Sequence, residues 1–127
     1  MFETILFPID QSHQSIEAAE KALDLACSHN SRIVALSVVQ PDRSEMKDHD
    51  VVAELLARTE AKIKGAGRPC QIVERHGIPA FVICDVADEL NVSVIVIGTR
   101  GLNLKNDRES TAARVIQLAP CPVLVVP

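Results

Sequence analysis

The stretch Ser93-Val94-Ile95-Val96-Ile97, followed at once by Gly98-Thr99-Arg100-Gly101, decides how the rest of the chain is read. Four consecutive β-branched apolar side chains leave no polar face. Such a run suits a strand covered on both sides, as in parallel sheets flanked by helices. Working outward, Thr4 to Ile9 (TILFPI) is another short apolar strand, closed by the turn and capping cluster Asp10-Gln11-Ser12. Arg32 to Val39 (RIVALSVV) is a further apolar strand, and Cys70 to Arg75 (CQIVER) alternates as a strand nearer an edge does. Pro122 to Val126 (PVLVV) closes the chain as a fifth strand.

Helical spacing fills the gaps. From His13 to His29 the apolar positions Ile16, Ala19, Ala22, Leu23 and Ala26 recur every three or four residues. Gln40 to Lys47 is a polar linker containing Pro41. Val51, Val52, Leu55, Leu56 and Ile63 mark a second helix, stopped at Gly65-Ala66-Gly67. Gly77-Ile78-Pro79 opens a third, with Pro79 suited to a first turn and a buried stripe of Val82, Ile83, Val86, Ala87 and Leu90. A polar segment, Gly98 to Arg108, leads into a fourth helix over about Glu109 to Leu118. With no internal repeat and no linker between domains, the β-α-β-α-β-α-β-α-β order predicts one α/β domain over residues 1–127. Its sheet is open, parallel and five-stranded, with helices on both faces.

Composition narrows the function. The 127 residues carry 13 Lys+Arg against 17 Asp+Glu, a formal charge of −4, which disfavours a general nucleic-acid backbone binder. Three Phe and no Tyr or Trp leave almost nothing for bases of single strands to stack on. The core is aliphatic, drawn from 37 Leu, Ile and Val and 14 Ala. Cys27, Cys70, Cys84 and Cys121 are widely spaced and without a C-x-x-C pair, and His13, His29, His49 and His76 are equally scattered. No metal-ligand spacing emerges. No apolar run approaches the roughly 20 residues of a membrane span, and no basic-then-apolar leader is visible. The expected setting is the cytoplasm, with reduced thiols.

In open α/β sheets, ligands bind beyond the carboxyl ends of the strands, where the strand order reverses. Two such ends carry suitable chemistry: Pro8-Ile9-Asp10 and Gly98-Thr99-Arg100-Gly101. Gly98 and Gly101 admit a close approach of backbone amides to a ligand. Arg100, Lys105 and Arg108 add positive charge beside a helix N-terminus. Ser110 and Thr111 can donate hydroxyls to phosphate oxygens. Asp10 can accept from a ribose hydroxyl or help hold a divalent ion such as Mg. The competing explanation is that both glycines merely serve a tight turn.

The segments Ile5-Leu6-Phe7-Pro8-Ile9-Asp10, Val94 to Leu102 (VIVIGTRGL) and Ala119 to Val126 (APCPVLVV) closely resemble the universal stress protein family across the whole chain. That resemblance implies a Rossmann-like sheet of the adenine nucleotide alpha hydrolase-like type, in order 3-2-1-4-5, and homodimers paired through the last strand. It places the reversal of strand order between the strands ending in Asp10 and Gly98. It implies ATP, ADP or AMP as ligand, with Asp10 near the ribose, Val38 offering backbone to adenine, and Pro8 and Ile9 flanking the base. Gly98, Arg100, Gly101, Ser110 and Thr111 would face phosphate.

The family's nucleotide-binding branch has a loop G-x2-G-x9-G-[S/T]. Gly98 and Gly101 match its first half, but the second half departs: aligned on Arg114-Val115-Ile116, the loop is two residues shorter and Glu109 stands where the branch has glycine. A carboxylate about 4 Å from a phosphate charge costs roughly 4 kcal/mol at an effective dielectric near 20. Asp107 or Glu109 could instead cap the following helix itself. Against them stand Arg100, Lys105 and Arg108.

Two functional readings follow. One is a homodimeric adenine-nucleotide-binding module of a stress response, for which AMP or ADP is more tolerable than ATP. The other is an interaction dimer of the same fold that has lost the ligand site through Glu109. Turnover is not expected, because no general base beyond Asp10 is evident for ATP hydrolysis. Ser12 with His13 lacks an orienting third group, and Ser12 reads as the first helix's N-cap. His76 reads as a solvated loop residue, and Cys121 as a small buried hydrophobe rather than a redox group. Glu54, Glu60 and Lys64 read as a solvated helix face. The apolar strand Pro122 to Val126 would leave a sticky sheet edge, which a two-fold copy of the chain would cover. The expected partner is a protein; neither nucleic acid nor membrane is expected.

Overall fold

The computed structural model describes residues 2–10, 14–40, 42, 46, 48–98 and 111–127, with residues 14–16 described in backbone only. Strands and helices alternate: β1 (Thr4–Pro8), α1 (Gln14–His29), β2 (Arg32–Val39), α2 (His49–Gly65), β3 (Cys70–His76), α3 (Pro79–Glu89), β4 (Val94–Gly98), α4 (Thr111–Leu118) and β5 (Val123–Val126). The sheet is parallel throughout, in the order β3-β2-β1-β4-β5.

Burial follows from position in the sheet. In β1 and β4 the first four residues are buried and in β2 the last seven, whereas β3 and β5 are largely open to solvent. Alternating side chains build two cores. Ile5, Phe7, Ile33, Ala35, Val94 and Val96 pack with Ala22 and Ala26 of α1 and Val52, Leu56 and Ile63 of α2. Leu6, Val34, Leu36, Val38, Ile95 and Ile97 pack with Ala80, Ile83, Val86 and Ala87 of α3 and Ala112 and Val115 of α4. Right-handed crossovers put α1 and α2 on one face and α3 and α4 on the other, so small alanines at the helix contacts let aliphatic strands approach closely.

The helix ends show local chemistry at work. The Asp48 carboxylate accepts from the Asp50 N–H at 2.8 Å and caps α2. Pro79 occupies the first turn of α3. Asn30 and Asn91 follow α1 and α3 with φ of 59° and 51°, the left-handed geometry that ends a helix and that asparagine tolerates.

Three expectations need correction. Ser93 lies outside β4 because its N–H donates to the Thr4 carbonyl and its Oγ accepts from the Thr4 N–H, which ties it to β1 ahead of the ladder. Ile9 falls just past β1, for reasons given below. The Gln40–Lys47 linker is not uniformly polar and solvated: Met46 is 1% exposed and packs into the α1/α2 core, while its carbonyl accepts from the Gln40 N–H at 2.7 Å.

Candidate functional site

The two ends of the sheet differ. At the amino end the strands are stitched together. Arg32 N–H donates to the Glu3 carbonyl, Arg32 Nε to Thr4 Oγ1 at 3.1 Å, and Arg68 Nε to the Ser31 carbonyl at 2.9 Å. At the carboxyl end the sheet divides. The β1–β4 register covers only Ile5↔Val94 and Leu6↔Ile95, while β1–β2 pairing runs on to Pro8↔Leu36.

Pro8 explains the division. Thr4 turns both its N–H and its carbonyl toward Ser93, so by alternation Leu6 and Pro8 face β4 as well. Pro8 has no N–H to offer, and the ladder to β4 cannot continue through it. On the other side, the Ile9 N–H donates to the Leu36 carbonyl at 2.8 Å, and Ser37 Oγ donates to the Ile9 carbonyl at 3.1 Å. The chain leaving β1 therefore follows β2 and parts from β4. Ser37, 1% exposed on β2, is a positioning residue that the sequence reading missed; a lone serine in an apolar strand carries no visible signal.

Several of the expected site residues lie at this carboxyl end of the sheet. Ile9, Val38 and Ile97 are each about 5% exposed at the carboxyl ends of their strands, Ile9 in the core against α1 and α2 and the other two in the core against α3 and α4, while Pro8, Asp10 and Gly98 are half-buried. Gly98 is the last residue of β4 and stands in register with Val126. Thr111 opens α4, half-buried, with Ala112 behind it in the core. Arg100, Gly101 and Ser110 lie outside the described residues, as do Ser12, His13, Lys105, Asp107, Arg108 and Glu109. Met46 packs in the same buried cluster as Ile9 and Val39. His76, exposed at the end of β3 and in register with Val39, stands two strands away from β1.

First-turn charges distinguish the helices whose amino ends lie here. Each helix runs back against the strands, so all four amino termini, with their partial positive charge, gather at the carboxyl rim. α2 offsets its own with Asp48 and Asp50, and α1 carries Glu17 in its first turn. α3 and α4 have no acidic residue in theirs, and the Ile78 cap of α3 supplies no side-chain acceptor. Among the described residues, the first turns without an acid are thus those of the two helices on the Val38 and Ile97 face of the sheet, and Glu109, two residues before Thr111, lies outside the described residues. Among the described residues no group of three or more His, Cys, Asp or Glu could hold a metal ion. Asp10 is a described carboxylate at the carboxyl end of β1.

The far edge of the sheet is apolar. Leu124 and Val125 of β5 are 42% and 37% exposed, and Ile116 and Leu118 of α4 are more open still. Register puts Leu124 beside Val96 and Val125 beside Ile97, so the two side chains project to opposite faces of this edge. No described helix is long and apolar enough to cross a membrane.

Comparison with known proteins agrees with this architecture. The universal stress protein family model matches residues 1–127. Universal stress protein Sll1654 of Synechocystis sp. is 45% identical over 136 residues, spanning 100% of this chain and 87% of its own length. The crystal structure of a universal stress protein in complex with cAMP superposes with a TM-score of 0.81 at 22% identity, covering 98% of this chain and 97% of that one. That of the Archaeoglobus fulgidus universal stress protein in complex with dAMP gives 0.77 at 22%, covering 100% of both chains. The family model's match over residues 1–127 and the 45% identity across the whole chain lead to one statement: the chain belongs to the universal stress protein family.

Proposed function

We propose that the cleft between the carboxyl ends of β1 and β4 binds an adenine nucleotide, and that the protein is a cytoplasmic, homodimeric nucleotide-responsive module rather than a turnover enzyme. The observation that carries this reading is the parting of β1 from β4 at Pro8, with the Ile9 backbone held on β2 by Leu36 and Ser37. Two family structures contain cAMP and dAMP, which supports an adenine nucleotide as the ligand class. Pro8 and Ile9 would flank the base, with the backbone at Val38 along its edge. The Asp10 carboxylate would accept from a ribose hydroxyl. Phosphate would lie toward Gly98 and the Thr111 end of α4, with Glu109, two residues ahead of Thr111, as the carboxylate that weighs against a longer phosphate chain. Mg, if it accompanies a polyphosphate, would be held chiefly by the nucleotide, with Asp10 as the protein's contribution.

Occupancy would act by favouring one arrangement of the connection between Gly98 and Thr111, and so of a surface read by a protein partner. Dimerisation would use β5. Its apolar side chains and unpaired backbone edge suit antiparallel pairing with a second copy, which covers both at once. The four free thiols fit a reducing compartment.

Calorimetric titration with AMP, ADP, ATP and cAMP tests the ligand. Saturable heat with AMP or ADP, weakened at least tenfold in Asp10→Asn, is the expected result. No heat with any of the four would leave the interaction dimer as the function. A Glu109→Gly variant that then gains ATP affinity would attribute the loss to that carboxylate.

A further inference from the structure

We propose that Cys84 and Cys121 are a redox pair that a peroxide converts into an intrachain disulfide, clipping α3 to the turn that leads into β5. The four thiols are not equivalent. Cys27 is exposed on α1, and Cys70 packs against the α1/α2 core. Only Cys84 and Cys121 pack against the same apolar cluster, on the α3/α4 face, and both are half-buried there. Cys84 sits on α3 beside Ile83, whose side chain is in that cluster together with Ile95 of β4. Cys121 adjoins Pro122, whose carbonyl accepts from the Ile95 N–H at 3.0 Å, which ties this turn to β4 of the same cluster. Burial does most to raise the Cys84 thiol, the Asp85 carboxylate adds to it, and negative charge on Cys121 adds least. Burial raises Cys121 as well, although a backbone hydrogen bond from Ile95 lowers it in part.

The chemistry balances with one peroxide per pair. A thiolate attacks the peroxide O–O bond, giving a sulfenic acid and releasing water or an alcohol. The second thiol then attacks that sulfur, the S–S bond forms, and the sulfenic oxygen leaves as water with the remaining proton. Raised thiols keep thiolate scarce near neutrality, so the pair answers sustained peroxide rather than traces. Once formed, the bond encloses β4, α4 and the connection between them, and so fixes both Gly98 and Thr111 of the cleft and the start of β5 relative to α3.

The test uses the full chain, reduced, freed of reductant and treated stepwise with hydrogen peroxide. It is then alkylated and digested with trypsin without reduction. Cys84 falls in peptide 76–100, Cys121 in 115–127, Cys27 in 22–32 and Cys70 in 65–75. The expected product is 76–100 joined to 115–127, two hydrogens lighter than their sum, in a chain that still migrates as a monomer under denaturing conditions. Thermal unfolding of the oxidised chain should rise by on the order of 10 °C, reversed by reductant. Recovery of the two peptides separately, whether alkylated or over-oxidised, overturns the proposal, as does their joining only to Cys27 or Cys70 peptides or only between chains.

Discussion

Replacing Gly77 with Ala isolates how the start of α3 is seated, and the structure sets the size of the effect. Gly77 has φ +137°, a conformation that L residues rarely adopt, and an added Cβ would lie 3.1 Å from Val82 Cγ2. Backbone strain of this kind costs about 1–3 kcal/mol. Reduced freedom in the unfolded chain returns about 0.4–1 kcal/mol. Val82 is half-buried against the α3/α4 core, so its methyl group cannot withdraw without cost. A net loss of about 1–2 kcal/mol follows, or roughly 4–8 °C in Tm for a chain of this size. Two other glycines serve as internal controls. Gly67 has φ +86° with nothing within 4 Å of an added Cβ, so Gly67→Ala carries strain without contact and loses less, about 1 kcal/mol. Gly65 ends α2, with no positive φ and open space around it, so Gly65→Ala should hold or gain up to about 1 kcal/mol. Urea and thermal unfolding followed by circular dichroism give the order Gly65→Ala, wild type, Gly67→Ala, Gly77→Ala from most to least stable. A Gly77→Ala protein as stable as wild type, or more stable than Gly67→Ala, refutes the reasoning.

Ser37→Ala removes the hydroxyl that holds the Ile9 carbonyl. Stability should fall by about 1 kcal/mol and AMP affinity several-fold, and an unchanged AMP titration would remove Ser37 from the site's support. Leu124→Glu puts like charges across the proposed two-fold pairing of β5, so sedimentation should show monomer where the wild type shows dimer; a monomeric wild type rules the pairing out. Burial holds the Cys70, Cys84 and Cys121 thiols above their ordinary value of 9.0. The folded chain then keeps these protons to higher pH than the unfolded chain. The resulting contribution is absent below about pH 9 and becomes destabilising as pH rises beyond it. Denaturant midpoints measured across that range should decline above pH 9, and less steeply in a Cys→Ala triple variant.

Much of the fold was readable because its physics is local and repetitive. Four β-branched residues in Val94–Ile97 and the apolar run in Arg32–Val39 leave little alternative to strands buried on both faces, and spaced alanines mark the helices they contact. The order 3-2-1-4-5 is different, because no periodicity encodes which strands become neighbours; it came from the family resemblance and the structure bears it out. Residues acting singly were harder to see. Met46 is one apolar side chain in a polar linker, and its burial depends on the space left beside Ile9 and Val39. Asn30 and Asn91 end helices through a backbone angle that neighbouring residues do not announce. Pro8 reads from the sequence as a ligand-flanking residue, whereas its effect on the sheet depends on which side its absent N–H would have faced. Of the candidate site, Pro8, Ile9, Asp10, Val38 and Gly98 converge at one end of the sheet, with Thr111 at the start of α4.

The most direct measurement is amide chemical-shift mapping of the labelled protein during addition of AMP. Resonances of Ile9, Asp10, Val38, Gly98 and Thr111 should move together and saturate, while those of Arg32, Gln71 and Ser93 at the stitched amino end stay in place. Movement confined to the amino end or to the β5 edge, or none at saturating AMP, would contradict a nucleotide seat where β1 parts from β4.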